Sequence, residues 1–286
     1  MDLGRSGAPV NTVSLFRGFL DDAAVFPPGL KPLARAVPDH ATHLRAGYGE
    51  LVGPLVLAAP ALAELDAVVS EPLDLAVTAP GGPAQLPDAL GRAADLPVRL
   101  AGFEVAMPAE SSVPEFFRAL EVAGDVPVFV EVPRDSRRAE VIATCAKTGH
   151  SAKFRTGGVQ ASLYPDEAEL AAAVLAVVRA GVPFKATAGL HRALRNTDPS
   201  TGFEQHGFLN LLLATAAARS GSSEDELVAL LAERDGSRVA ERVSEVDPGA
   251  RESFRSFGTC SIDEPVAELV DLGLAPASAL DGGVTA

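Results

Sequence analysis

The sequence predicts an α/β protein made of a single (β/α)8 TIM barrel over residues 1–286, with an extended helical insertion between strands 7 and 8. Three observations carry this expectation. The chain has 286 residues and is 47% hydrophobic, enough to bury a sizeable core, and barrels of this length are often one domain. Eight short apolar runs recur, each ended by Pro, Gly or a polar residue. Helical patterns lie between most of them, and strand–helix alternation is the signature of a parallel barrel. An open doubly wound sheet is the alternative, but no GxGxxG follows any strand.

In chain order the runs are "LDDAAVFPPG" (20–29), "GPLVLAAP" (53–60), "LDLAVTAPGG" (73–82) and "VRLAGFEVAMP" (98–108). Then come "VPVFVEVP" (126–133), "HSAKFRTGG" (150–158), "GVPFKATAGLH" (181–191) and "SFGTCSIDEP" (256–265). Strands buried on both faces read in this way. Of the helices, "PEFFRALEVAG" (114–124) and "SRRAEVIATCAKTG" (136–149) end in Gly, a common C-terminal signal. "PDEAELAAAVLAVVRAG" (165–181) opens with Pro and acids and closes with Arg and Gly, matching the helix dipole. Strands 7 and 8 are separated by the loop "RNTDPSTGFEQ" (195–205) and two or three helices, including "HGFLNLLLATAAARSG" (206–221). On the catalytic side of a barrel this loop is a candidate lid, and a plain surface insertion is the alternative. The tail "ASALDGGVTA" (277–286) is expected to be flexible.

The net charge of −14 argues against non-specific nucleic-acid or anionic-membrane binding, while a local cationic pocket could still take an anionic substrate. Two cysteines, Cys145 and Cys260, make neither a disulfide framework nor a zinc set and fit a reducing cytoplasm. The N-terminal "MDLGRSGAPVNTVSLFRGFL" lacks an apolar signal core, and no apolar run is long enough to span a bilayer. The expectation is a cytoplasmic protein with a small-molecule substrate, without nucleic-acid or membrane partners, and with a homodimer as the candidate assembly.

Barrel active sites sit at the C-terminal strand ends. The polar residues there are Asp21, Asp22, Glu104, Glu131, Lys153, Arg155, Lys185 and the cluster Thr259-Cys260-Ser261. Period-2 alternation allows Lys153, Arg155, Lys185 and Glu104 to point inward while the flanking Phe154, Phe184, Ala186, Phe103 and Val105 face the helices. A lysine ending the apolar run of "AGVPFKATAGLH" (180–191) is costly to desolvate unless something compensates it. Two ammonium groups in one pocket repel, and repulsion or burial lowers a lysine pKa from about 10.4. A lysine so shifted can form a Schiff base with a carbonyl, and a nearby carboxylate can move protons. A buried Lys–Glu pair that only braces the barrel is the alternative.

These strand ends resemble the deoxyribose-phosphate aldolase family, class I aldolases on a (β/α)8 barrel. The family's K-x-x-T-G on strand 6 is matched by "KFRTG", with Lys153, Thr156 and Gly157; its K-x-A-G-G-[IL] on strand 7 by "KATAGL", with Lys185, Gly189 and Leu190. Its F-G-x-S-S on strand 8 is matched by "FGTCS", its V-D-V-x-M-P on strand 4 by "FEVAMP", and its I-D-H-T on strand 1 by "LDDA". The resemblance implies that Lys153 forms the Schiff base, that Lys185 perturbs it, and that Glu104 with Asp21 moves protons. It implies a phosphate site on strand 8. The departures are Thr187-Ala188 for Ala-Gly, Cys260 for one serine, Glu104 for Asp, an added Arg155, and no tyrosine beyond Ser261. They mark a divergent relative.

The expected activity is therefore a Schiff-base lyase acting on a small carbonyl compound, with a sugar phosphate as one candidate, and needing no cofactor. A non-covalent isomerase or phospho-sugar enzyme on the same barrel, or an inactive binding protein, are the alternatives. Candidate anion donors are Thr156, Gly157, Gly158, Gly189, Cys260 and Ser261, with Arg155, His191 or Arg192 adding charge. His40 and His43 form an H-x-x-H, but nothing nearby supplies a compelling third metal ligand, so no metal site is expected. His206 is placed to cap or to catalyse, and Cys260 to pack or to react.

Overall fold

A computed structural model of the chain describes residues 12–280. Eight parallel strands close into a barrel: β1 Leu20–Asp22, β2 Val52–Ala58, β3 Leu73–Ala79, β4 Val98–Ala106, β5 Val128–Glu131, β6 Ser151–Arg155, β7 Phe184–Thr187 and β8 Phe254–Thr259. Each pairs with its neighbour in sequence except that β8 returns to β1, where Leu20 lies opposite Phe257. All eight apolar runs of the sequence thus become barrel strands.

Helices follow the strands and cover them. Leu33–Arg45, Leu86–Ala94, Val113–Leu120, Arg138–Thr148, Glu167–Arg179 and Asp263–Asp271 each follow a strand, and β2 is followed by a short helix, Leu62–Leu65. The caps are local. The Asp166 side chain accepts from the Glu169 N–H, and Ser112 accepts from that of Glu115. Gly149 takes the left-handed conformation at φ 77°, which costs a glycine little. Between β7 and β8 stand Phe208–Arg219, Glu224–Ala232 and Gly236–Ser244, with a last single turn, Ala250–Ser253, so the insertion holds one more helical turn than its sequence suggests. At the C-terminus Ala277–Leu280 form a 3-10 turn with Ala279 buried, which corrects the expectation of flexibility for those four residues. Residues 281–286 of that tail lie outside the described residues. Among the described residues no helix is long and apolar enough to cross a membrane.

Two apolar regions with different roles follow from the alternation. The main core lies between barrel and helices. There Phe184 and Phe154 pack with ring centroids 5.3 Å apart, and Phe208 of the insertion stacks on Phe257 at 4.7 Å. Phe19 meets Phe257 edge-on at 5.1 Å. Inside the barrel the buried apolar cluster is small: Ala23, Val56 and Ala76, with Phe26 against them. The rest of that end of the interior is given to charged side chains.

Phe257→Ala should cost about 3–5 kcal/mol, the range for a fully buried aromatic truncated in a packed core. Urea denaturation should show a lower midpoint with an unchanged slope; a shift within error would mean that the insertion does not depend on this stack.

Candidate active site

Register places the site. Glu131 on β5 lies opposite Lys153 on β6, and Lys153 lies opposite Lys185 on β7, so all three point to the same face. Glu104 on β4 lies opposite Phe129 of β5, and Asp21 on β1 opposite Gly258 of β8. These side chains meet inside the C-terminal end of the barrel. Lys153 Nζ is 3.0 Å from Glu104 Oε2 and 3.0 Å from Glu131 Oε2. The Lys185 ammonium donates to Glu104 Oε1 and, at 2.5 Å, to Asp21 Oδ2. Ser256 donates to Asp21 at 2.7 Å, and Arg155 Nε to Glu131 Oε1 at 2.9 Å. One chain of contacts therefore runs Ser256–Asp21–Lys185–Glu104–Lys153–Glu131–Arg155, with three acids matching three cations.

Space for this network is made by small residues. A Cβ on Gly53 of β2 would lie 2.3 Å from Asp21 Oδ1, so β2 can carry only glycine beside that carboxylate. Lys185 Nζ also lies 5.5 Å from the centre of the Phe129 ring.

Burial and pairing act in opposite directions on each group. Burial works against the Glu104 carboxylate, but Lys185 and Lys153 outweigh it and hold its pKa down at about 2. Burial likewise opposes the Lys185 ammonium, but Asp21 and Glu104 raise its pKa above the usual lysine value. For Asp21 burial wins, and its pKa is raised despite Lys185 and Ser256. Glu131 is lowered, burial being outweighed by Lys153 and Arg155. Glu104 lies between the two lysines and bonds to both, so for Lys185 the carboxylates outweigh the repulsion and burial that were expected to lower a lysine pKa.

Above this network opens a cavity of about 690 Å3. Lys153, Glu104, Glu131 and Arg155 line it, while Lys185 and Asp21 lie behind them. The 195–205 loop forms a two-stranded hairpin, Asn196–Thr197 with Glu204–Gln205. Asp198 Oδ1 fixes its turn by accepting from the Ser200 and Thr201 N–H groups at 2.8 and 2.9 Å. Phe203 packs on Tyr164 with centroids 5.5 Å apart, and both rings line the cavity. The loop is thus a wall of the site rather than a remote insertion.

The expected anion nest is only partly assembled. Gly158, Gly189, His191 and Cys260 line the cavity. Thr156, Gly157 and Ser261 do not. The Thr156 hydroxyl donates to the Ala188 carbonyl at 2.6 Å, because the strand end leaves that carbonyl without a ladder partner. Gly157 is glycine for close approach: a Cβ there would sit 2.7 Å from the Tyr164 ring and 2.9 Å from the Gly189 Cα. Ser261 Oγ accepts from the Glu264 N–H at 3.3 Å, in the first turn of the following helix. Arg192 points away and pairs with Glu268 at 3.0 Å. His191 Nδ1 is 3.2 Å from Cys260 Sγ; burial lowers the pKa of His191 and pushes the Cys260 thiol up to about 11.

Three other histidines make polar contacts away from the cavity. His40 Nδ1 meets Asp22 Oδ2 at 3.0 Å, His43 Nδ1 meets the Tyr48 hydroxyl at 2.7 Å, and His206 Nε2 meets the Pro165 carbonyl at 2.8 Å. Asp22, one residue after Asp21, faces that helix layer. Glu131, a polar strand end with no role expected from sequence, joins the network, and Ser256, Phe129, Gly53 and Tyr164 shape the site without a sequence motif of their own. Alternation could have found two of them: Glu131 shares its phase with Phe129, and Ser256 shares its phase with Gly258.

The closed eight-stranded parallel sheet with helices outside makes this chain an α/β barrel of the TIM class. No family model matches the chain, and no curated protein matches it. Among solved structures, a protein of Coccidioides immitis provisionally called a fructose-1,6-biphosphate aldolase is similar at a TM-score of 0.31 and 14% identity, over 86% of this chain and 77% of that one.

Glu104→Gln should destabilise the fold by about 3–5 kcal/mol, because it leaves both ammonium groups short of a buried partner. The pH dependence has a defined sign. Glu104 has a folded-state pKa of about 2 against an ordinary value of 4.5. Its contribution is therefore present above 4.5 and lost as pH falls toward 2. Chemical denaturation across pH 2–7 should show the acid limb flattened in Glu104→Gln; an unchanged limb would mean that Glu104 is not held by the two lysines.

Proposed function

We propose that the chain is a carbon–carbon lyase of the aldolase type, acting through a Schiff base on Lys153. The observation that carries this reading is the unequal placement of the two buried lysines. Lys153 lines the cavity with two carboxylates at 3.0 Å, whereas Lys185 lies behind it between Asp21 and Glu104.

The chemistry balances with these groups alone. The Lys153 nitrogen bonds to the carbonyl carbon; two ammonium protons leave with the carbonyl oxygen as water and the third stays on the iminium nitrogen. Glu104 and Glu131 carry those protons. In a β-hydroxy carbonyl substrate one carboxylate then takes the hydroxyl proton. The carbon–carbon bond breaks, its electron pair flows to the iminium, and an aldehyde departs. The remaining enamine is protonated on carbon, and water returns the second carbonyl product and Lys153. Lys185 and Asp21 act through Glu104 as positioning residues. Asp21, with its raised pKa, is the member of the chain best able to hold a proton delivered through Lys185.

Full ion pairing of both lysines favours a second reading, a binding barrel braced by its charges and without covalent chemistry. Borohydride reduction in the presence of small ketones and aldehydes separates the two. An adduct located by peptide mapping on Lys153, lost in Lys153→Ala and slowed in Lys185→Ala with a displaced pH profile, supports the lyase. An adduct on Lys185 reverses the assignment, and no adduct on either lysine supports the binding barrel.

A further inference from the structure

The cavity that holds Lys153 is poorly suited to a phosphate. Its lining contains two cations, Lys153 and Arg155, and three acids, Glu104, Glu131 and Asp198. Both cations are already paired, Lys153 with Glu104 and Glu131, and Arg155 with Glu131. His191 adds no reliable charge at neutral pH, since burial lowers its pKa. Of the expected anion donors, Thr156 and Ser261 are hydrogen-bonded elsewhere and Gly157 does not line the cavity. A dianion entering here would meet no free cation and would approach three carboxylates.

The walls point to a different ligand. Phe26 and Pro28 line it from the loop after β1, Leu163 and Tyr164 from the loop after β6, and Phe203 of the hairpin packs on Tyr164. Val159, exposed by 73%, also lines the cavity, and Leu30, exposed by 65%, lies on the loop that supplies Phe26 and Pro28. Scattered exposed apolar residues need no explanation, but apolar residues ringing a concave pocket do. A cavity of about 690 Å3 is far larger than a two- or three-carbon fragment and falls in the range that holds a ligand of drug size.

We infer that the substrate is a non-phosphorylated ketone or aldehyde carrying an aryl or branched alkyl group. Its carbonyl meets Lys153 at the charged floor, and its apolar group lies between the Phe26–Pro28 loop and the Leu163, Tyr164 and Phe203 wall. This class rests on the Schiff-base reading for the carbonyl and on the walls alone for the apolar group, so the two can fail separately.

The test uses the full chain and two readouts. Calorimetric titration with 4-phenyl-2-butanol, which cannot form an imine, reads the walls. Borohydride trapping with acetone, 4-phenyl-2-butanone, dihydroxyacetone and dihydroxyacetone phosphate reads the reaction. The expected results are measurable binding of the phenyl alcohol, weakened at least fivefold in Phe203→Ser, and half-saturation by the phenyl ketone at least tenfold below that of acetone. Dihydroxyacetone phosphate should trap no better than dihydroxyacetone. Tenfold better trapping of the phosphate ester, or no binding of the phenyl alcohol together with equal trapping of both ketones, would overturn the inference. Binding of the phenyl alcohol with no trapping of any carbonyl would uphold the apolar site while overturning the Schiff-base reading on which the carbonyl half rests.

Discussion

Glu104 bonded to two ammonium groups is the contact on which the rest of this structure depends. Each buried charge costs several kcal/mol to desolvate, and only close partners offset that cost. Glu104 supplies one carboxylate oxygen to Lys185 and the other to Lys153. Removing Glu104 takes one partner from each lysine and leaves the network with an excess positive charge. The contacts reach from β1 and β8 through β7, β4 and β6 to β5, so they tie together strands far apart in sequence. Details that look minor alone follow from this demand. Gly53 must be glycine because the Asp21 carboxylate occupies the space of its side chain. Ser256 must be small and polar because it faces the same oxygen of Asp21 that Lys185 uses.

The barrel therefore separates two tasks. Apolar packing lies largely outside the sheet, where the phenylalanines of β6, β7 and β8 pack on one another and Phe257 of β8 stacks on Phe208 of the insertion helix. The inside holds the site of the proposed chemistry, where a nearly neutral network leaves one amine facing a cavity. Both carboxylates that pair with Lys153 are held below the usual carboxylate range by the cations around them. Under the proposed reading, a site with no spare positive charge would discriminate by shape and apolar contact. The hairpin after β7 forms part of its wall: Asp198 holds the turn and Phe203 packs on Tyr164.

Much of this was legible in the sequence, and the reasons are physical. Strands buried on both faces leave continuous apolar runs, so all eight could be found. Side-chain alternation has a fixed period, so the inward placement of Lys153, Lys185 and Glu104 followed once the strands were known. What alternation cannot show is how a polar group spends its hydrogen bonds. Thr156 and Ser261 are hydroxyls at strand ends, the pattern of an anion site, yet nearby backbone groups claim them. Gly157 looks like an amide donor, but a ring and a second glycine crowd it. Glu131 was visible as a polar strand end, but its partnership with both Lys153 and Arg155 depends on register across two strand pairs. Tyr164 lies in a loop, where no period exists to place it.

The central claim is that one of two buried lysines, Lys153, faces the cavity and the other, Lys185, is enclosed behind it. Competitive acetylation of the native protein with trace acetic anhydride, followed by peptide quantification, measures this without assuming any substrate. The account predicts that Lys153 is acetylated at least tenfold faster than Lys185. Equal rates, or faster modification of Lys185, would contradict it.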